Sequence, residues 1–218
     1  MVTYCKAAGI KSMAVLYSED SFGTSSRDYL LRRLSDEGIA LIASIGVDRN
    51  GTNLQTATSK VADAVGRRNV SCAIALLLIA KPMVAAVKEL RTVHAVMLPA
   101  LAMSFTITGS VATSQEQALN GLGLISAFPL PRHGVDTRQR FRDAIVREGR
   151  SPLLIESVTA YEGYFYGTVA AQAVSGASSR EAVPRRLQAG ISLPGGMRID
   201  FSKSMVGYRY LEFFHKSK

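Results

Sequence analysis

Tryptophan is absent from this 218-residue chain, cysteine occurs twice and histidine three times. Each scarcity excludes something. Two cysteines, Cys5 and Cys72, cannot staple a disulfide scaffold, and neither lies in a Cys-x-x-Cys or Cys/His pattern, so both read as small core residues. His94, His133 and His215 are scattered, none at metal-ligand spacing with another His, Cys or acid, and a metal centre is not expected. No apolar run reaches bilayer-spanning length. The longest weakly charged stretch, 157–176, contains Glu162, Gln172 and three glycines and reads as a buried helix, not an inserted one. Met1 to Lys6 shows no basic region followed by an apolar one, so no secretory signal is expected in the chain as it reads.

What is present is ordinary globular material: 47% apolar and 20% charged residues, with 18 glycines and 7 prolines. Disorder and collagen are thereby excluded, and the length suits one large domain or one and a half. The formal charge of +9, from 26 basic and 17 acidic residues, invites a nucleic-acid reading. Position argues against it. The densest basic stretch, Arg132 to Arg150, has Asp136, Asp143 and Glu148 interleaved and no aromatic companions, the pattern of a solvated helix face.

Along the chain, strand-like and helix-like segments alternate. A helix end over 2–9 closes at Gly9; Met13 to Tyr17 is an apolar strand; Ser18 to Ser25 reads as a polar loop, with Ser25 or Ser26 capping a helix that stops at Gly38. The unit then repeats, as a strand over 39–47, a turn-rich loop over 48–53 and a helix over 54–67. Residues 70–79, nearly all apolar, predict a strand covered on both faces, followed by a helix near Pro82 and strands over 96–103 and 122–128. This alternation predicts an α/β fold with a doubly wound parallel sheet. After Pro129-Leu130-Pro131 the texture changes to three helices, near 136–148 with Asp136 as a cap, 156–174 and 179–189, and then to strand-like segments over 197–201 and 208–214 separated by a turn at 203–207.

In such a sheet, ligands bind beyond the carboxyl ends of the strands. The corresponding loops contain no Gly-x-Ser-x-Gly elbow, no Walker loop and no Gly-x-Gly-x-x-Gly turn. Glu19 and Asp20 are adjacent and point apart, which makes a poor acid/base pair; Asp20 is expected to bond loop backbone instead. No enzyme activity, cofactor or metal is expected.

The residues do carry a resemblance. Gly9-Ile10-Lys11, Ala14-Val15-Leu16-Tyr17 and Glu19-Asp20-Ser21-Phe22-Gly23, then a helix and Gly38, resemble the opening of the second lobe of type I periplasmic binding proteins, in their leucine/isoleucine/valine-binding class. Met103-Ser104-Phe105, Phe128-Pro129-Leu130-Pro131, Tyr161-Glu162-Gly163-Tyr164, Gly195-Gly196 and Ile199-Asp200-Phe201 continue the likeness to the end of the chain. It implies a substrate-binding component of an ABC importer for an amino acid or small organic acid. Residues 1–127 would be lobe two, 128–206 the closing, mostly helical part of lobe one, and 207–218 a return strand to lobe two. The first half of lobe one and its signal peptide would then lie outside the chain, leaving weak or no binding by itself. A membrane permease is the implied partner and the periplasm the implied location; a cytoplasmic ligand sensor of the same fold is the alternative, for which no DNA-binding helix-turn-helix is seen.

By the same resemblance the ligand-side positions are Ser21, Phe22, Ala80, Lys81, Ser104 and Phe105. Phe22 stands at the family's loop aromatic, which packs over the ligand, and equally reads as a local hydrophobic plug. Ala80-Lys81 stands where a family tyrosine contacts the ligand. Ser104 and Phe105 fall where branched-chain receptors place an acid for the ligand's ammonium group. No acid occurs at 100–106. An unpaired buried ammonium costs on the order of several kcal/mol, so the expected ligand is a carboxylate or aromatic acid, with Lys81 reading either as its counter-charge or as a solvated lysine.

Overall fold

The computed structural model describes residues 1–66, 71–103, 117–126, 135–193, 198–202 and 212–215. Two compact units emerge, Met1–Ile125 with Phe213–Lys218, and Ser126–Glu212.

The first unit is built on β1 (Ser12–Ser18), β2 (Ala40–Val47), β3 (Cys72–Leu77), β4 (Ala100–Met103) and β5 (Gly123–Ser126). With β8 (Glu212–His215) they form one sheet in the order β2-β1-β3-β4-β5-β8, and the pairings β1–β2, β1–β3, β3–β4 and β4–β5 are parallel. Central position explains composition. Every residue of β3 is buried, as uncharged Cys-Ala-Ile-Ala-Leu-Leu must be when helices cover both faces. Alternate residues feed two cores. Ala14, Leu16, Ile74 and Leu76 pack with Val61 of α3 (Leu54–Gly66) and with Met83 and Val87 of α4 (Ala80–Lys88). Met13, Val15, Ala73 and Ala75 pack on the other face with Cys5 of α1 (Val2–Ala7) and with Leu30 and Leu34 of α2 (Ser21–Asp36). This is the doubly wound arrangement expected from the strand and helix alternation.

Boundaries differ in places. The strand expected over 96–103 is only Ala100–Met103, because α4 runs into a π-helical turn, Glu89–Val93, and residues 94–99 follow with Ala95 at φ 52°. At the edge strand β2 the register shifts between Met13 and Ala14, so Ile42 is an extra residue opposite β1. A bulge there twists the free edge away from further pairing.

The second unit is mainly helical: α5 (Val135–Arg147), a 3-10 turn (Pro152–Glu156), α6 (Val158–Ser175) and α7 (Ala182–Ala189). Asp136 lies inside α5, not at its cap. Phe141 of α5 meets Tyr161 of α6 edge-on at 5.3 Å between ring centroids, and Tyr164 at 5.4 Å. The other side of α6 sets Phe165, Val169 and Ala173 against Leu193 and against Ile191 and Ile199 of a two-stranded antiparallel ribbon, β6 (Ile191–Ser192) and β7 (Arg198–Ile199). The turn expected at 203–207 lies outside the described residues.

Candidate functional site

The carboxyl ends of parallel strands collect the junctions that lead into helices. Strand order β2-β1-β3 makes three of these junctions neighbours: Asp48–Asn53 after β2, Glu19–Asp20 after β1 and Leu78–Ile79 after β3.

At the β1 junction the helix begins earlier than its serines suggest. Asp20 is the cap, its carboxylate accepting from the Gly23 N–H at 2.8 Å and from the Ser18 hydroxyl at 3.0 Å. A carboxylate outcompetes Ser25 or Ser26 there because it meets the unsatisfied N–H groups and the positive end of the helix dipole together. The Gly23 amide holds the Asp20 carboxyl below its ordinary range. Ser21 and Phe22 therefore stand on the first turn of α2, Ser21 exposed and Phe22 half-buried. Gly23 is buried so close to the end of β1 that a Cβ would run into the Ser18 backbone. Only glycine permits this approach.

The β2 junction is knit by one side chain. Asp48 accepts from the Thr52 hydroxyl at 2.6 Å, the Asn50 N–H at 2.8 Å and the Asn53 N–H at 2.9 Å, while its own N–H donates to Asn53 Oδ1 at 3.0 Å. The Thr52 hydroxyl and the Asn53 amide, which bond the charged form more strongly than the neutral one, lower the Asp48 carboxyl to about 2. A Cβ built on Gly51, which lies at φ 76°, would stand 3.8 Å from Pro82 of α4, so the β2 and β3 junctions are near neighbours.

The β3 junction is different in kind. Ile79 occupies the cap of α4 in extended conformation and offers no side-chain acceptor to the first turn. Amide donors at such a helix start suit an anion. Ala80 is the first residue of α4, and Lys81 beside it is exposed. Of the six expected ligand-side positions, Ser21, Phe22, Ala80 and Lys81 thus occupy the first turns of two helices on adjacent strands; Ser104 and Phe105 lie outside the described residues.

Sequence reasoning missed the network around Asp48, for which the Asp-x-x-x-Thr-Asn spacing was the available clue. It also missed Arg27, whose guanidinium lies 4.5 Å above the Tyr17 ring near the end of β1 and pairs with Asp28. Among the described residues no group of three or more His, Cys, Asp or Glu is placed to hold a metal. No described helix is long and apolar enough to cross a membrane.

No protein-family model matches the chain, and no curated protein sequence matches it. Solved structures do. An extracellular ligand-binding receptor from Verminephrobacter eiseniae superposes with a TM-score of 0.76 at 19% identity, covering 97% of this chain and 60% of its own. A branched-chain amino acid ABC transporter protein from Thermus thermophilus with bound valine gives 0.79 at 17% identity, with 98% and 59% covered. A solute-binding protein of an ABC transporter from Rhodopseudomonas palustris, in complex with 3,4-dihydroxybenzoic acid, gives 0.70 at 15%, with 98% and 58% covered. The fold is that of type I periplasmic binding proteins. The chain spans about 60% of the length of the structures it matches.

Proposed function

We propose that this chain is the solute-recognising component of an ABC-type importer, acting by reversible binding without covalent chemistry. The observation that carries the reading is the extent of the likeness: 97% or more of the chain follows the fold of solute-binding proteins. In this reading residues 1–127 are lobe two, 128–206 the closing part of lobe one and 207–218 a return strand, with a membrane permease as partner and the periplasm as the place of action.

Valine and 3,4-dihydroxybenzoic acid, the ligands of two of those structures, share a carboxylate. The β3 junction suits that group, since the α4 start has no side-chain cap and Lys81 adds a cation in the same turn. The sequence has no acid over 100–106 for an ammonium group. The ligand is therefore a small organic acid in preference to a plain α-amino acid, held through Lys81 and the α4 amides, with Ser21, Phe22, Ala80, Ser104 and Phe105 as the other ligand-side residues.

Isothermal titration tests this with leucine, valine, benzoate, 3,4-dihydroxybenzoate and the methyl ester of each. Expected are saturable binding of the free acids, weaker than micromolar for the 218-residue chain alone, loss of binding for the esters, and weakening by Lys81→Met. Leucine binding more tightly than the organic acids overturns the ligand class. Chemical turnover of a panel member overturns the role, and sub-micromolar binding by the 218-residue chain alone overturns the expected impairment.

A further inference from the structure

The chain contains two Asn-Gly pairs, Asn50-Gly51 and Asn120-Gly121. This dipeptide is the one most open to self-modification, because glycine presents no side chain against the attack of its nitrogen on the preceding asparagine. The structure treats the two pairs unequally. We propose that Asn50 is a deamidation site at the carboxyl edge of the sheet, and that Arg91 protects Asn120 from the same reaction.

In the reaction the Gly51 nitrogen bonds to Asn50 Cγ and the Cγ–Nδ2 bond breaks. Nδ2 leaves as ammonia carrying the former Gly51 amide proton, and a succinimide ring remains. Water then opens either ring carbonyl, giving aspartate or isoaspartate. Only water is consumed. For the ring to close, the peptide between the two residues must rotate and the glycine N–H must come free.

At residue 50 these requirements are within reach. Asn50 and its neighbour Arg49 are exposed. Rotation of the 50–51 peptide breaks one bond, from the Gly51 N–H to the Asp48 carbonyl at 2.9 Å. Among the described residues the Asn50 carbonyl accepts no hydrogen bond. At residue 120 the carbonyl is held by the Arg91 guanidinium at 2.6 Å, and the same guanidinium nitrogen also binds the Ala118 carbonyl. Arg91 reaches this turn from the π-helical segment after α4, and Asn120 is half-buried beneath it. Rotation of the 120–121 peptide must break a charge-assisted bond out of reach of full solvation, which slows the step about tenfold or more.

The product matters to the edge described above. Isoaspartate adds one carbon to the backbone ahead of Gly51, whose carbonyl accepts the Leu54 N–H at the start of α3 and which lies near Pro82 of the next junction. Either product also adds a negative charge next to Asp48.

The test is peptide mapping by mass spectrometry after incubating the folded chain at mildly alkaline pH in oxygen-18 water, with a parallel sample in urea. Expected in the folded chain is conversion at residue 50, marked by one oxygen-18 atom, about tenfold or more ahead of residue 120. In urea the two sites convert at similar rates. Arg91→Ala raises the rate at residue 120 alone, and Asn50→Gln, checked for folding by circular dichroism, removes the early product. Equal rates at both sites in the folded chain, or faster conversion at residue 120, overturn the proposal. So does a folded chain that stays unconverted at residue 50 while the urea sample converts.

Discussion

At Asp48 three donors converge on one half-buried carboxylate, and the consequence is a pH dependence that can be read directly. Its folded value, about 2, lies below the ordinary 3.8, so the charged form is favoured by folding. The stabilisation is complete above pH 3.8 and fades as pH falls toward about 2. Asp48→Asn is expected to melt at a lower temperature than the wild type at neutral pH, with the gap narrowing through that window; thermal melts across pH check it. A gap that persists unchanged at the acid end refutes the assignment. Gly23 poses a steric question instead. Gly23→Ala forces a methyl into the Ser18 backbone and is expected to cost about 1–3 kcal/mol, seen as a lower urea midpoint with unchanged slope. Neither residue stood out in the sequence for its structural reason. Asp20 was legible as a backbone-binding acid, yet that it displaces the serines as the helix cap depends on where β1 ends, a distance rather than a residue type.

The elements were more legible than their ends. Val70 to Ile79 reads as a two-sided buried strand because nothing polar interrupts it beyond Ser71, and its middle, Cys72–Leu77, is fully buried. The long helix near 156–174 is there as α6, started by Ser157, whose hydroxyl accepts from the Ala160 N–H at 3.2 Å. What the apolar pattern of α6 could not reveal is which flank meets which partner, since the helix is apolar nearly all round. The structure assigns Tyr161 to Phe141 and Phe165, Val169 and Ala173 to the ribbon, leaving Tyr166 and Val174 exposed at 53% and 61%. Phe141→Ala, at a position 1% exposed, is expected to destabilise the helical unit by about 3–5 kcal/mol, measured by hydrogen exchange in α5 and α6. On the open flank the reverse holds. Gly167 lies mid-helix with open space where a Cβ would stand, so Gly167→Ala is expected to stabilise α6 by about 0.5–1 kcal/mol. A loss of stability there would show that the flank is covered in solution.

For the whole molecule the decisive prediction is linkage. A ligand that binds only the folded chain raises its stability by about 2.7 kcal/mol at a hundredfold excess over Kd, so free organic acids are expected to lift the melting temperature with concentration while their methyl esters do not. A temperature lift from leucine and none from the organic acids contradicts the proposed ligand class. At this scale the sequence determined a good deal by itself: alternation of strand and helix dictates parallel strands, and parallel strands with right-handed crossovers put helices on both faces. The interleaving of Asp136, Asp143 and Glu148 with the arginines of 132–150 is likewise legible in the sequence alone, as the pattern of a solvated helix face. Strand order was not in the sequence, since hydrophobic period says which face of an element is buried and not which strand lies beside it. Only the tertiary structure set β1 between β2 and β3, and thereby brought Asp48, Asp20 and the uncapped start of α4 to one edge. Only packing decided that Arg91 closes on the Asn120 carbonyl while no donor among the described residues reaches that of Asn50, because the Arg91 contact joins residues 29 apart in the chain through a side chain whose local sequence carries no mark of it.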